Sequence, residues 1–160
     1  MEPVSDGSAS YGDVIIVLLR PKFEMNVAQV VRAAACFGVQ KVELCQPQYQ
    51  PASGRKGDRK PRPLRMKEYR SVQMEAVPLM PLPAGYTPVA VEYIGDAETL
   101  WSFEHPARAL YLFGPEDGSI EHAVLEQCQH VVQIPSRFCL NLAASVNIVL
   151  YDRMCKLNHD

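Results

Sequence analysis

Long apolar runs are missing from this chain. The longest, residues 14–19, is far short of the roughly 20 residues a membrane helix needs, so a membrane-spanning protein is not expected. The opening Met1-Glu2-Pro3-Val4-Ser5-Asp6-Gly7 is acidic and polar, which is not the pattern of a secretory signal. The cysteines (Cys36, Cys45, Cys128, Cys139 and Cys155) are odd in number and form no CxxC pair. Most lie in apolar segments, so a disulfide framework is not expected, and they read as reduced, buried thiols of a cytoplasmic protein. His105, His122, His130 and His159 have no metal-ligand spacing, and no metal is expected. Internal repeats and low-complexity tracts are also absent. No glycine-rich turn follows the first apolar run. Arg20-Pro21-Lys22-Phe23 stands there instead, which argues against a dinucleotide-binding oxidoreductase.

What is present suits one soluble domain. The chain has 160 residues, 48% hydrophobic and 21% charged, enough to bury a core. Its net charge of −2 is unevenly spread. Arg55, Lys56, Arg59, Lys60, Arg62, Arg65, Lys67 and Arg70 crowd one segment against only Asp58 and Glu68. That is the footprint of a segment touching phosphates, or else a solvated surface loop.

Residues 1–12 have little to bury and are expected to be disordered, leaving 13–157 as the domain. The β-branched run 13–19 reads as a strand buried on both faces of a parallel sheet. Pro21 stops it, and Asn26 is placed to cap a helix over 27–37, with Gly38 just past its end. Residues 41–45 form the next strand, completing one strand–helix–strand unit. A long, proline-rich basic loop covers 46–70, with a short helix expected from 64 to 77. Strands follow at 88–94, 109–113 and 131–134, with a helix capped by Asp96 running to Trp101 and another capped by Ser119 running to about Gln127. The pattern predicts an α/β fold, a mainly parallel sheet with helices on both faces. The last helix, 141–156, carries two apolar stripes. Leu142, Val146, Val149, Leu150 and Met154 should face the sheet. Ala144, Ile148, Tyr151 and Cys155 need a second surface, which a homodimer would provide or deep burial in one subunit would replace.

Several residues could carry chemistry. Arg32 is a guanidinium in a helix of small apolar residues, either snorkelling to solvent or held for a purpose. Gly114 and Gly118 bracket a turn with Pro115, Glu116 and Asp117, directly after a strand, where a ligand can approach the backbone. Ile134-Pro135 leaves the last strand, and Cys139, Leu140 and Asn141 open the final helix, whose N-terminus offers unpaired N–H donors. Cys139 is open to two readings, an activated thiol or a small residue packed in a tight turn. Asn26 and Asn141 could each be a plain helix cap.

Their order is more telling than any one of them. Asn26, Arg32 and Phe37-Gly38, then Phe113-Gly114-Pro115-Glu116 with Gly118, then Ile134-Pro135 with Cys139-Leu140-Asn141 resemble the three motifs of the SpoU/TrmH branch of the SPOUT RNA methyltransferases. The resemblance runs from about residue 13 to 156, and the compact size is similar to that of the small members that modify tRNA. It implies a C-terminal deep trefoil knot, an exception to the no-knots rule. It also implies a homodimer, and S-adenosylmethionine (AdoMet) held mostly by backbone at Gly114, Ile134, Cys139 and Leu140, with Val91 near the adenosine. The implied reaction is methyl transfer to a ribose 2′-hydroxyl of RNA. Arg32 would be the activator, with Asn26, Glu116 and Asn141 orienting it, the ribose and the cofactor, and Arg55, Lys56, Arg59, Lys60, Arg62 and Arg65 would hold the RNA. Ribosomal RNA as substrate, and a catalytically silent RNA-binding dimer of the same fold, are the alternatives. Many members have serine where this chain has Cys139, which puts any serine-specific contact there in doubt.

Overall fold

The computed structural model describes residues 13–52 and 59–157. The expected disordered segment 1–12 and the basic residues Arg55 and Lys56 lie outside the described residues. Seven parallel strands form one sheet in the order β3-β2-β1-β6-β4-β7-β5. They are β1 (Val14–Leu19), β2 (Lys41–Cys45), β3 (Gln73–Val77), β4 (Thr87–Val91), β5 (Glu98–Thr99), β6 (Ala109–Phe113) and β7 (His130–Gln133).

The side-chain alternation of β1 explains its unbroken apolar run. Val14, Ile16 and Leu18 enter one core, and Ile15, Val17 and Leu19 enter the other. All six are buried, each contributing about 1.5–3 kcal/mol of transfer free energy. The first core is roofed by α1 (Glu24–Cys36) and α4 (Leu142–Leu157), which pack against each other. Val27, Ala28, Val30, Val31, Ala33 and Ala34 form the buried side of α1. The opposite core is covered by Ile120, by Val124 of the one-turn α3 (His122–Leu125), and by Leu79 and Leu82 of a loop. Helices thus occupy both faces, but the two long ones share a face.

Helix α1 ends as expected, in a Schellman motif. Gly38 has φ +70°, the Val39 N–H donates to the Ala34 carbonyl (2.8 Å), and the Gly38 N–H donates to that of Ala35 (3.3 Å). Its start differs from expectation. The helix begins at Glu24, so Asn26 lies inside the first turn and does not cap it.

Three other expectations fail. Residues 64–77 are not one helix. A turn of helix, α2 (Arg62–Arg65), and a 3-10 turn (Lys67–Tyr69) precede β3, which pairs with β2. The segment after Asp96 is the two-residue edge strand β5, paired with β7, rather than a helix. Strand pairing overrides local propensity in both cases, because an open edge offers unpaired backbone groups. The helix expected to be capped by Ser119 starts only at His122 and lasts one turn.

The cysteines also divide differently from expectation. Cys45 is buried, Cys128 and Cys155 are half-buried, and Cys36 and Cys139 are exposed. Burial pushes the Cys45 and Cys128 thiols up to about 11, so both are inert at neutral pH. Among the described residues, no helix is long and apolar enough to cross a membrane, and no group of His, Cys, Asp and Glu is placed to hold a metal ion.

A polar network clamps α4 to the loop before β6. The Arg153 guanidinium donates to the Pro106 and Ala107 carbonyls and to the Tyr111 hydroxyl (3.3 Å). His105 Nδ1 meets the Tyr111 hydroxyl at 2.5 Å, and its Nε2 meets Asp152 Oδ2 at 2.8 Å. Lys156 Nζ reaches Asp152 Oδ2 at 2.8 Å and the carbonyls of Leu100 and Phe103. One proton arrangement satisfies every member. Arg153 donates to the Tyr111 oxygen, Tyr111 donates to His105 Nδ1, and His105 Nε2–H donates to Asp152, which requires a neutral imidazole. Burial, against the pull of Asp152, lowers the His105 pKa from its ordinary value.

Candidate active site

The carboxyl ends of β4, β6 and β7 open on one side of the sheet, where parallel α/β sheets bind ligands. A cavity of about 400 Å³ lies there, inside the range of small-molecule sites. Val91 contributes from the end of β4, Phe113 and Gly114 from the end of β6, and Ile134 from just after β7. Cys139, Leu140 and Asn141 approach from the start of α4, and Asn26 from the first turn of α1. The second and third motifs therefore meet in one place, with Asn26 alone representing the first.

Gly114 is crowded by contact rather than constrained by backbone angle. A Cβ there would lie 3.2 Å from the Ile120 side chain and 3.3 Å from its backbone nitrogen. The loop from Gly114 to Gly118 consequently folds back tightly, closed by the Gly118 N–H on the Pro115 carbonyl (3.3 Å).

Glu116 joins this loop to α1. Its Oε2 accepts the Lys22 N–H (2.9 Å), and its Oε1 accepts the Phe23 N–H (3.3 Å) and Asn26 Nδ2 (2.9 Å). A carboxylate near a helix N-terminus is favoured by the helix dipole, and Glu116 holds the two residues that lead into α1 without capping its first turn. Beside it, the Lys22 ammonium hydrogen-bonds Asp117 and holds that carboxyl below its usual range. Asn141 completes the chain of contacts. Its Oδ1 caps α4 by accepting the Ala143 (2.9 Å) and Ala144 (3.3 Å) N–H groups, and its Nδ2 donates to Asn26 Oδ1 (3.4 Å).

Arg32 is not among the residues lining the cavity. It lies on the exposed stripe of α1 with Met25 and Cys36, so of the expected readings the solvent-facing one describes its position. It makes no hydrogen bond to Asn26, Glu116 or Asn141, which are bonded to one another. Cys139 lines the cavity from an exposed turn, and its thiol has no hydrogen-bond partner among the described residues. Arg59, Lys60, Arg62 and Arg65 are all exposed. The Arg65 Nε donates to the Lys60 carbonyl (2.9 Å), which folds this part of the basic segment on itself.

Five lining residues were not anticipated in the site: Glu92, Tyr93, Ser136, Ser145 and Leu142, which was expected to face the sheet. Glu92 and Tyr93 follow directly on β4, and a carboxylate just past a strand end was the available signal for them. Ser145 lies one turn into α4, where its hydroxyl donates to the Asn141 carbonyl (3.1 Å), and it had no distinguishing pattern.

Solved structures share this architecture. A structure described by the 2-OH methylation of C/U34 on tRNA has 25% identity and a TM-score of 0.71, over 91% of both chains. The SpoU methyltransferase AviRb from Streptomyces viridochromogenes, in complex with the cofactor AdoMet, has 20% identity and a TM-score of 0.72. This chain is covered to 91% in that match but spans only 61% of AviRb. The A. aeolicus TrmH/SpoU tRNA modifying enzyme gives 18% identity and a TM-score of 0.73, over 92% of this chain and 76% of that one. Among curated proteins, none matches the sequence. Residues 13–151, nearly the whole described domain, match the SpoU rRNA Methylase family, and the chain belongs to that family.

Proposed function

We propose that the protein is an AdoMet-dependent methyltransferase acting on a ribose 2′-hydroxyl of RNA, with tRNA favoured over ribosomal RNA. The observation that carries this reading is the convergence of the second and third motifs, with Asn26 of the first, on one cavity at the carboxyl ends of β4, β6 and β7. The structure described by methylation of C/U34 on tRNA, which matches over 91% of both chains, supports the tRNA preference.

The lining fits the cofactor. Gly114, Ile134 and Leu140 offer peptide groups to an adenosine, and Val91 and Phe113 offer apolar contact. When bound, AdoMet supplies a methyl group on a sulfonium, activated for transfer without further help.

The protein's own residues must then present the hydroxyl. Holding it in line with the methyl supplies proximity. A guanidinium stays protonated at neutral pH, so Arg32 stabilises the developing alkoxide and fixes a phosphate rather than taking the proton. Because Arg32 lies outside the cavity of its own subunit, bound RNA or a second subunit must bring it and the hydroxyl together. Asn26, Glu116 and Asn141 keep the cavity wall in shape. The knot belongs to the same reading, since the loops that wall the cavity are the ones the family ties together.

A homodimer is also part of the proposal. On α4, Ile148 and Tyr151 are 37% and 57% exposed, and they sit on the stripe left uncovered by the subunit's own core. The exposed Arg59, Lys60, Arg62 and Arg65 serve as the RNA handle, together with Arg55 and Lys56, in a cytoplasmic enzyme.

Titration calorimetry with AdoMet tests the reading first, with one site per subunit expected. Incubation with total RNA and methyl-labelled AdoMet should then label a ribose. Failure to bind AdoMet would overturn the proposal, and RNA binding without transfer would return the silent-dimer alternative.

A further inference from the structure

Glu92 lies outside the three motifs, yet its carboxylate is fixed at the cavity wall. Its Oε2 accepts the Ile120 N–H at 2.8 Å and its Oε1 accepts the Tyr93 N–H at 3.0 Å. Each oxygen therefore has one lone pair committed to backbone and one remaining. Both partners are neutral amides, and the side chain forms no ion pair among the described residues. Glu116, the other carboxylate of the lining, differs because Lys22 stands beside it, bonded to Asp117. No cationic side chain lines the cavity. The wall thus carries a half-buried, uncompensated negative charge where solvent screening is reduced.

We propose that Glu92 sets the charge preference of this cavity, selecting a cationic sulfonium nucleoside over its neutral thioether. The inference rests on the methyltransferase reading above. The donor and the product of methyl transfer differ by one methyl group and one positive charge at sulfur. They share every other atom, so the pocket can tell them apart only through that one methyl contact or through the charge. A fixed carboxylate distinguishes them by charge. It holds the donor before the reaction and loosens its grip once the positive charge has gone, which favours exchange of product for fresh donor. A single unit charge several ångströms away at an intermediate effective dielectric gives a preference of about tenfold.

The Ile120 hydrogen bond adds a positioning role. Ile120 packs against Gly114, so Glu92 also ties the loop after β6 to the end of β4. A substitution could therefore weaken all ligands by loosening the loop, and the informative quantity is a ratio. Kd for AdoMet and for S-adenosylhomocysteine is measured by calorimetry on the full chain, for wild type, Glu92→Gln and Glu92→Asp. Wild type should prefer AdoMet by about tenfold, Glu92→Gln should bring the two constants within about twofold, and Glu92→Asp should keep most of the preference. An unchanged ratio in Glu92→Gln would overturn the proposal, as would equal loss of preference in Glu92→Asp, which would assign the effect to shape. Failure of wild type to bind either ligand would instead defeat the methyltransferase reading itself.

Discussion

Asn26 Nδ2 donates to Glu116 Oε1 at 2.9 Å, joining residues ninety positions apart in the chain. The same carboxylate accepts the backbone N–H groups of Lys22 and Phe23, so one side chain aligns the start of α1 with the loop after β6. Glu116→Ala removes the acceptor from three donors at once. A loss of about 1–2 kcal/mol in stability is expected, since two of the bonds are solvent-accessible, with AdoMet affinity falling roughly tenfold. Denaturant melts and calorimetry on the same variant check both. Unchanged affinity would separate this junction from the cavity.

Arg32 predicts the opposite pattern. It is exposed and does not line the cavity, so Arg32→Ala should leave AdoMet affinity within about twofold and stability within about 0.5 kcal/mol. Methyl transfer to RNA should fall by about 100-fold or more, on the order of one missing transition-state donor. A fully active variant would remove Arg32 from the mechanism.

The basic segment is tested through salt. Replacing Arg59, Lys60, Arg62 and Arg65 by alanine should weaken RNA binding and flatten its dependence on salt. The log–log slope should fall by roughly 0.7–0.9 for each phosphate that the variant no longer neutralises. Identical slopes would reduce the segment to a solvated loop.

The dimer is tested on α4. Tyr151→Glu places a charge at the centre of the exposed stripe and should shift the protein to monomer in sedimentation. The isolated monomer should stay folded, because Val146, Val149 and Leu150 hold the other side of the helix to the core. A wild type already monomeric at micromolar concentration would end this part of the proposal.

His105 gives a pH dependence of known sign. Its folded pKa lies below the ordinary 6.5, chiefly because it is buried, with Arg153 and Lys156 acting in the same direction and Asp152 against. Below pH 6.5 the unfolded chain binds the proton and the folded chain resists it. The stabilisation is therefore present above 6.5 and lost as the pH falls through the folded value. Protonation would also force a second donor onto Nδ1, against the Tyr111 hydroxyl. His105→Gln should cost about 2 kcal/mol at about pH 7.5, or roughly 4–8 °C in melting temperature. The gap from wild type should shrink toward about pH 5. A constant gap would show that His105 does not titrate in this window.

Much of this was legible from local pattern. The run at 14–19 marked a doubly buried strand, Gly38 marked a helix end, and Asn141 marked a helix start, because each depends on neighbours within a few residues. The order of the motifs identified the family, and ten of the residues in those motifs line the cavity. Tertiary structure alone decided the rest. Residues 73–77 and 98–99 became strands because β2 and β7 offered open edges, which no local signal reveals. Asn26 gave up its expected capping role because the helix starts two residues earlier, at Glu24, and its amide is taken by Glu116, brought near by the sheet. Arg32 fell outside the cavity because its place on α1 turns it toward solvent, and Glu92 came into it because β4 ends there. Sequence determines which residue types are near one another along the chain. Only the packed sheet determines which charges share a cavity, because that depends on strand order and register.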